Sequence, residues 1–216
     1  MRAALSQARL GLGRTSPNPP VGVVAVKGGR VLGKAYHRRA GGDHAEAALL
    51  KKIGGEAESA TLYVTLEPCD HYGCTPPCSL AILNAGVRRV VVGCKDLNPL
   101  VSGRGIQRLR KGGVEVEVGV LEPRCRRLIE AFTIAVTQGR AHVTMKAAVT
   151  LDGKLATRTG HSRWVSGPES LKLAHRLRNR LDTILVGGGT VRRDDPSLTC
   201  RMVTGRDPLR IVLSSS

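Results

Sequence analysis

Aromatic residues are nearly missing: one Trp, three Tyr and one Phe in 216 residues. A groove for single-stranded nucleic acid stacks bases on aromatic rings, so that platform is poorly supplied. Acids are scarce too. Seventeen Asp and Glu stand against 34 Lys and Arg, a net charge of +17, and the first 42 residues hold eight basic residues and no acid. An organelle transit segment has this look. Here it runs straight into the strand-like VGVVAV at 21–26, so it is counted as folded. The positive surplus suits nucleic acid or anionic small molecules. With no basic tract and no recognition motif, phosphate-bearing small molecules fit better, and no nucleic-acid partner is expected. No apolar run approaches ~18 residues, so no membrane span is expected. There is no repeat and no low-complexity segment. Six cysteines are too few and too scattered for a disulfide framework: 69, 74 and 78 crowd one stretch, while 94, 125 and 200 stand apart. That usage suits a reducing compartment, the cytoplasm, and one metal site.

What is present is an alternation of strands and helices. Ala4, Leu5, Ala8 and Leu12 fall at helical spacing, predicting a helix over 2–12. VGVVAV (21–26) and RVLGKAYH (30–37) read as a hairpin around Gly28-Gly29. Asp43 reads as the N-cap of a helix over 44–53. TLYVTL (61–66) is a strand, and Pro76-Pro77 opens a helix that runs to Gly86. RRVVVGC (88–94) is a strand, 103–111 a helix, VEVEVGV (114–120) a strand and 123–136 a helix. This order predicts an α/β fold with helices layered on a central sheet. Gln138-Gly139-Arg140 reads as a linker, giving domains at 1–138 and 141–216. Beyond it, 142–156 is expected to begin a new set of strands. A helix near 168–181, a strand entering the Gly-rich turn GGGT, and a last strand in RIVLSSS follow.

The chemistry concentrates between His44 and Cys78. Zinc accepts imidazole nitrogen and thiolate sulfur, and a catalytic site leaves one of its four positions open. His44, Cys69 and Cys78 supply three ligands. Both cysteines are expected at or just before helix starts, where the positive dipole end favours thiolate. Glu46, on the same turn as His44, is placed to move protons between water and a leaving amine. An H-x-E followed by P-C is the general signature of zinc deaminases, with the Glu not a ligand. Two plainer readings compete. Cys74 would complete a closed structural Cys3His site, or His44 and Glu46 merely begin a solvated helix. A zinc-stabilised nucleic-acid module and a cytidine-type or tRNA deaminase are the wider alternatives.

The spacing from Cys69 to Cys78 is C-x8-C, whereas nucleoside and tRNA deaminases use C-x2-C. PCDHYGCTPPC, with SPNPPVGVVAV, HAEAA, TLYVTLEPC and DLNPLVSGRGI in order, resembles the riboflavin-biosynthesis deaminase–reductase (RibD) family. The resemblance implies a cytidine-deaminase-like three-layer αβα domain followed by a partial dihydrofolate-reductase-like α/β domain. It implies a small phosphoribosylated pyrimidine as substrate, hydrolytic loss of a ring amino group, Zn2+ at the three ligands and Glu46 as proton carrier. It suggests substrate contacts at Asn18, His37 and His71. Their plainer readings are a turn-forming Asn and surface histidines. One position departs: where the family commonly has Lys or Arg, this chain has Cys74, which lacks that charge.

The second segment resembles the start of the family's NADPH-dependent reductase domain. The resemblance places NADP contacts at Ala148, Trp164, Thr190 and Asp194. It places substrate contacts at Ser162, Arg178, Leu198 and Arg201, with Lys146, Asp152 and Lys154 nearby. Arginines suit a phosphoribosyl group, and GGGT permits close approach of backbone to a cofactor. The family's reductase domain runs past residue 216, so these residues are expected not to express reductase activity. An uncovered half-domain points to partnering, a homo-oligomer among the options.

Overall fold

Gly22–Lys27 (β1) and Arg30–Tyr36 (β2) pair antiparallel across Gly28-Gly29. Both turn glycines have positive φ, 56° and 77°, the left-handed backbone that a two-residue hairpin demands. Thr61–Leu66 (β3) lies antiparallel to β1, while Arg89–Cys94 (β4) and Glu115–Val118 (β5) run parallel to β3. The sheet order is β2-β1-β3-β4-β5. The computed structural model describes every residue except Cys74, Leu100, Arg163, Trp164 and Ser216. Among them the chain forms two units, Met1–His142 and Val143–Ser216.

In the first unit, helices cover both faces of the sheet. Ala45–Ile53 (α2), Cys78–Asn84 (α3) and Arg104–Lys111 (α4) bury Leu49, Ile53, Ile82 and Leu109 against Leu62, Val64, Val90 and Val92. Each such side chain contributes about 1.5–3 kcal/mol on burial. On the other face Arg2–Ala8 (α1) and Glu122–Leu128 (α5) bring Leu5 and Cys125 onto Leu66 and Cys94. The approach there is close. A Cβ on Gly22 would fall 2.2 Å from the Ala4 carbonyl, and one on Gly93 would fall 2.3 Å from Cys125 Sγ. The result is the three-layer αβα arrangement expected from the sequence.

Several boundaries differ from expectation. The first helix stops at Ala8 and gives way to a tight helical turn at Arg9–Gly11. His44, not Asp43, is the N-cap of α2; Asp43 instead pairs with Lys51 at 2.8 Å. The helix expected over 123–136 is two, α5 and Glu130–Gln138 (α6). Between them Ile129 leaves helical geometry, at φ −105° and ψ 15°, while its side chain is buried in the second core.

The second unit holds Pro168–Arg180 (α7), Thr183–Gly187 (β6), Gly188–Asp194 (α8) and Leu209–Leu213 (β7). β6 and β7 pair in parallel, and β7 is exposed along its length. The strands expected over 142–156 do not form. A strand needs a neighbour for its backbone groups, and this stretch turns on itself instead: Thr150 N–H donates to the Lys154 carbonyl, and Lys154 N–H to Thr150 Oγ1. The expected GGGT turn is the first turn of α8, with Gly187 extended as its N-cap.

Candidate active site

His44 stands at the amino end of α2 in an extended conformation, φ −65° and ψ 160°, which turns its ring out of the helix. Its Nδ1 lies 3.4 Å from Cys69 Sγ and 3.4 Å from Cys78 Sγ. The three donor atoms all fall within 4.8 Å of one another. Zn–N of about 2.0–2.1 Å and Zn–S of about 2.3 Å at tetrahedral angles require N to S separations of roughly 3.6 Å, so the three fit one ion.

Cys78 is the first residue of α3. Cys69 is not at or just before a helix start as expected; it follows β3 through Glu67 and Pro68. The helix serves it nonetheless, because the Cys78 N–H points at Cys69 Sγ, 3.4 Å away. The two sulfurs share a proton unequally. The Cys69 thiol is pulled down to about 4, first by its hydrogen bond with Cys78 and then by His44. The Cys78 thiol is raised, first by the same bond and then by burial. His44 is raised by its bond to Cys69. Cys69 is therefore held as thiolate, the form a metal binds.

Glu46 sits in the first turn of α2 and is only 3% exposed. Burial, then the charge of Cys69, pushes its carboxyl up to about 7. A carboxyl poised there both takes and gives protons near neutral pH. A solvated helix end, the plainer reading of His44 and Glu46, does not describe these positions.

Asn18, His37, His44, Glu46, Cys69 and His71 line one pocket of about 180 Å³. His37 is no surface histidine: it is 2% exposed. Its Nδ1 meets the Asp43 carbonyl at 2.9 Å, and its Nε2 meets Asn18 Nδ2 at 3.2 Å. A carbonyl only accepts, so Nδ1 carries the hydrogen and Nε2 accepts from Asn18. Burial lowers the His37 pKa, keeping the ring neutral. His71 is exposed at the pocket mouth. Cys78 lies buried behind the lining, and Cys74 is outside the described residues.

The pocket has walls to which the sequence reading assigned no role. Glu67, Asp96, Asn98 and Phe132 all line it. Asp96 and Asn98 follow the carboxyl end of β4, next to the carboxyl end of β3 that leads to Cys69. Ligands gather where parallel strands end, so recognising β3 and β4 as parallel neighbours would have found both. Phe132, from α6, carries no sequence signal.

In the second unit the expected residues fall in four places. Ala148 and Ser162 line a pocket of about 500 Å³ with Lys146 and α7 residues Leu171, Ala174 and Leu177. Arg178 donates through Nη1 to the Thr199 carbonyl at 3.1 Å, beside buried Leu198. Its pKa is lowered by burial and then by nearby Arg201, whose own Nη1 reaches Thr199 Oγ1. Thr190 and Asp194 are exposed on α8, and Asp152 and Lys154 are exposed in the turn at Thr150. Trp164 lies outside the described residues.

Comparison with known proteins agrees with both halves. Residues 1–94 match the family described as "Cytidine and deoxycytidylate deaminase zinc-binding region", and residues 141–216 match "RibD C-terminal domain". "Riboflavin biosynthesis protein RibD" of Aquifex aeolicus is 52% identical over 99% of this chain and 60% of its own length. The protein of that name from Synechocystis is 49% identical over 100% of this chain and 59% of its own length. A crystal structure from Thermotoga maritima, described as a diaminohydroxyphosphoribosylaminopyrimidine deaminase/5-amino-6-(5-phosphoribosylamino)uracil reductase, superposes with a TM-score of 0.93. It is 45% identical, over 98% of this chain and 61% of that one. The chain thus spans about 60% of the length of the relatives it matches.

Proposed function

The chain belongs to the RibD family of riboflavin-biosynthesis proteins, and from that premise we propose that Met1–His142 is a zinc-dependent deaminase. Its proposed substrate is the diamino-phosphoribosylamino-pyrimidinone, which loses a ring amino group to water and leaves the corresponding uracil and ammonia. The observation that carries this reading is the meeting of three metal donors with buried Glu46 at one pocket.

His44, Cys69 and Cys78 would hold the ion. Bound zinc supplies Lewis acidity, lowering the pKa of a water so that it attacks near neutral pH. Glu46 accepts the proton that this water loses and passes it to the departing amine. Burial suits it to both tasks by holding its carboxyl near neutrality. Neutral His37 lines the pocket and holds the Asn18 amide in a fixed orientation toward the pyrimidine, and His71 stands where the ribosyl phosphate would leave the pocket. The reducing cytoplasm suits the free thiols of the described residues.

For the second unit, the same premise supports a share in NADPH-dependent reduction of the ribosyl group. Ala148 and Ser162 would line one part of that site, with Arg178, Leu198 and Arg201 in another. The open edge of β7 argues that these 216 residues do not turn over alone. Incubation with NADPH and the deaminated product should show no NADPH consumption; consumption at a normal enzymatic rate refutes this.

The deaminase test uses zinc-loaded protein with the pyrimidinone, cytidine and RNA in parallel, measuring ammonia release and binding. Ammonia is expected from the pyrimidinone alone. Glu46→Gln should lower turnover by about 10²–10⁴-fold, the usual worth of general acid–base catalysis, with zinc retained. Loss of zinc from that variant would mark a structural metal site instead.

A further inference from the structure

The buried carboxylate of Glu67 is bonded into the backbone of the segment that follows β4. Its Oε2 accepts from the N–H of Asp96 at 3.2 Å and of Gly103 at 3.0 Å. Its Oε1 accepts from the N–H of Gly105 at 3.1 Å and of Ile106 at 3.3 Å. Four backbone donors from an eleven-residue span, 96–106, thus close on one side chain. The same span is pressed against the peptide after Glu67: a Cβ on Gly105 would fall 1.8 Å from the Pro68 carbonyl. Within the loop, Asp96 Oδ1 accepts from the Asn98 N–H at 2.8 Å, and both residues line the pocket.

We propose that Glu67 is a positioning residue for substrate recognition: it ties Asp96 and Gly103 of the β4–α4 connection to Gly105 and Ile106 in the first turn of α4, so that Asp96 and Asn98 form a wall of the pocket. Glu67 spends both carboxylate oxygens on backbone, so it acts through the loop and not on the substrate. It stands two residues before Cys69, and the single peptide Glu67–Pro68–Cys69 therefore fixes the distance between metal and recognition loop. Pro68, fully buried, stiffens that peptide. The proposal rests on the deaminase reading for its catalytic consequence and on geometry alone for the clamp.

The test compares zinc-loaded wild type, Glu67→Gln and Gly105→Ala. Glu67→Gln turns an amide NH₂ toward backbone donors. Gly105→Ala pushes the first turn of α4 off the Pro68 carbonyl with Glu67 intact, so one variant remains if the other fails to fold. The amides of Asp96, Gly103, Gly105 and Ile106 should exchange with deuterium at least about tenfold faster, while those of β3 keep their protection. Zinc per chain should be unchanged. KM for the pyrimidinone should rise about tenfold or more with a smaller change in kcat, the mark of lost binding shared by ground and transition state. Unaltered exchange, or faster exchange with unchanged KM, overturns the proposal. Loss of zinc does too, since it would assign Glu67 to the metal site. If wild type releases no ammonia, the deaminase reading fails, and the exchange measurement still decides the clamp.

Discussion

Asn18 donates its side-chain amide to Nε2 of His37 at 3.2 Å, and that bond fixes the tautomer of a ring that is 2% exposed. Asn18→Ala leaves a buried acceptor without its donor, a loss of about 1–3 kcal/mol. Urea denaturation should show a lower midpoint at unchanged slope. Asn18→Asp puts an acceptor opposite an acceptor and favours imidazolium in its place. Its His37 resonance should titrate at higher pH than in wild type, and an unmoved titration would disprove the assigned tautomer.

Zinc affinity should fall as pH falls, because protons compete for Cys69, Cys78 and His44. Dialysis against a chelator should strip the metal faster at pH about 5.5 than at pH about 8 and abolish ammonia release, with recovery on adding zinc. Cys78→Ala should bind no zinc at any pH. A variant that stays loaded would mean that the metal is held elsewhere.

Two thiols far from the metal set an alkaline limit. Burial raises Cys94 from 9.0 to about 12 and Cys125 from 9.0 to about 11. Cys94 keeps its hydrogen, donating to the Thr65 carbonyl at 3.4 Å. A group raised on folding contributes stability that is whole below its unfolded pKa and lost as pH rises through the folded one. Melting temperature should therefore drop between pH 9 and pH 11–12. In Cys94→Ala/Cys125→Ala the drop should be shallower, from a lower start. Equal slopes in the two proteins would count against it.

Gly22 lies under α1. Gly22→Ala drives a methyl into the Ala4 carbonyl and the Ala8 N–H, at 2.2 and 2.4 Å. Overpacking of this kind costs about 1–3 kcal/mol. Thermal denaturation should report it, with zinc content as the check that the site survives. Gly28→Ala, in open space but at φ 56°, should cost about 1 kcal/mol through backbone strain alone.

The candidate metal donors were legible because their spacing is chemical. His44, Glu46, Cys69 and Cys78 stand in an order that little else requires, and the structure gathers them within one pocket's reach. The strands of the first unit were legible because Val23, Leu62, Val64, Val90 and Val92 alternate or run together in short apolar stretches bounded by Gly and Pro. His37 misled as a surface residue because its burial depends on two distant partners, Asn18 and the Asp43 carbonyl, and local sequence reports neither. Asp43 misled as an N-cap for a related reason: the cap falls one residue later, at His44, and the Asp43 carboxylate is taken by Lys51. The stretch 142–156 reads as strands because it is rich in Val, Ala and Thr. Strand propensity without a neighbour does not make a sheet.

The metal donors come from α2 and from the β3–α3 segment, while Asp96 and Asn98 come from the separate β4–α4 connection. On the deaminase reading, the candidate metal donors and the opposite pocket wall are thus carried by different connections of one sheet. Substitutions in the β4–α4 connection would then alter which heterocycle fits while leaving the three donors in place.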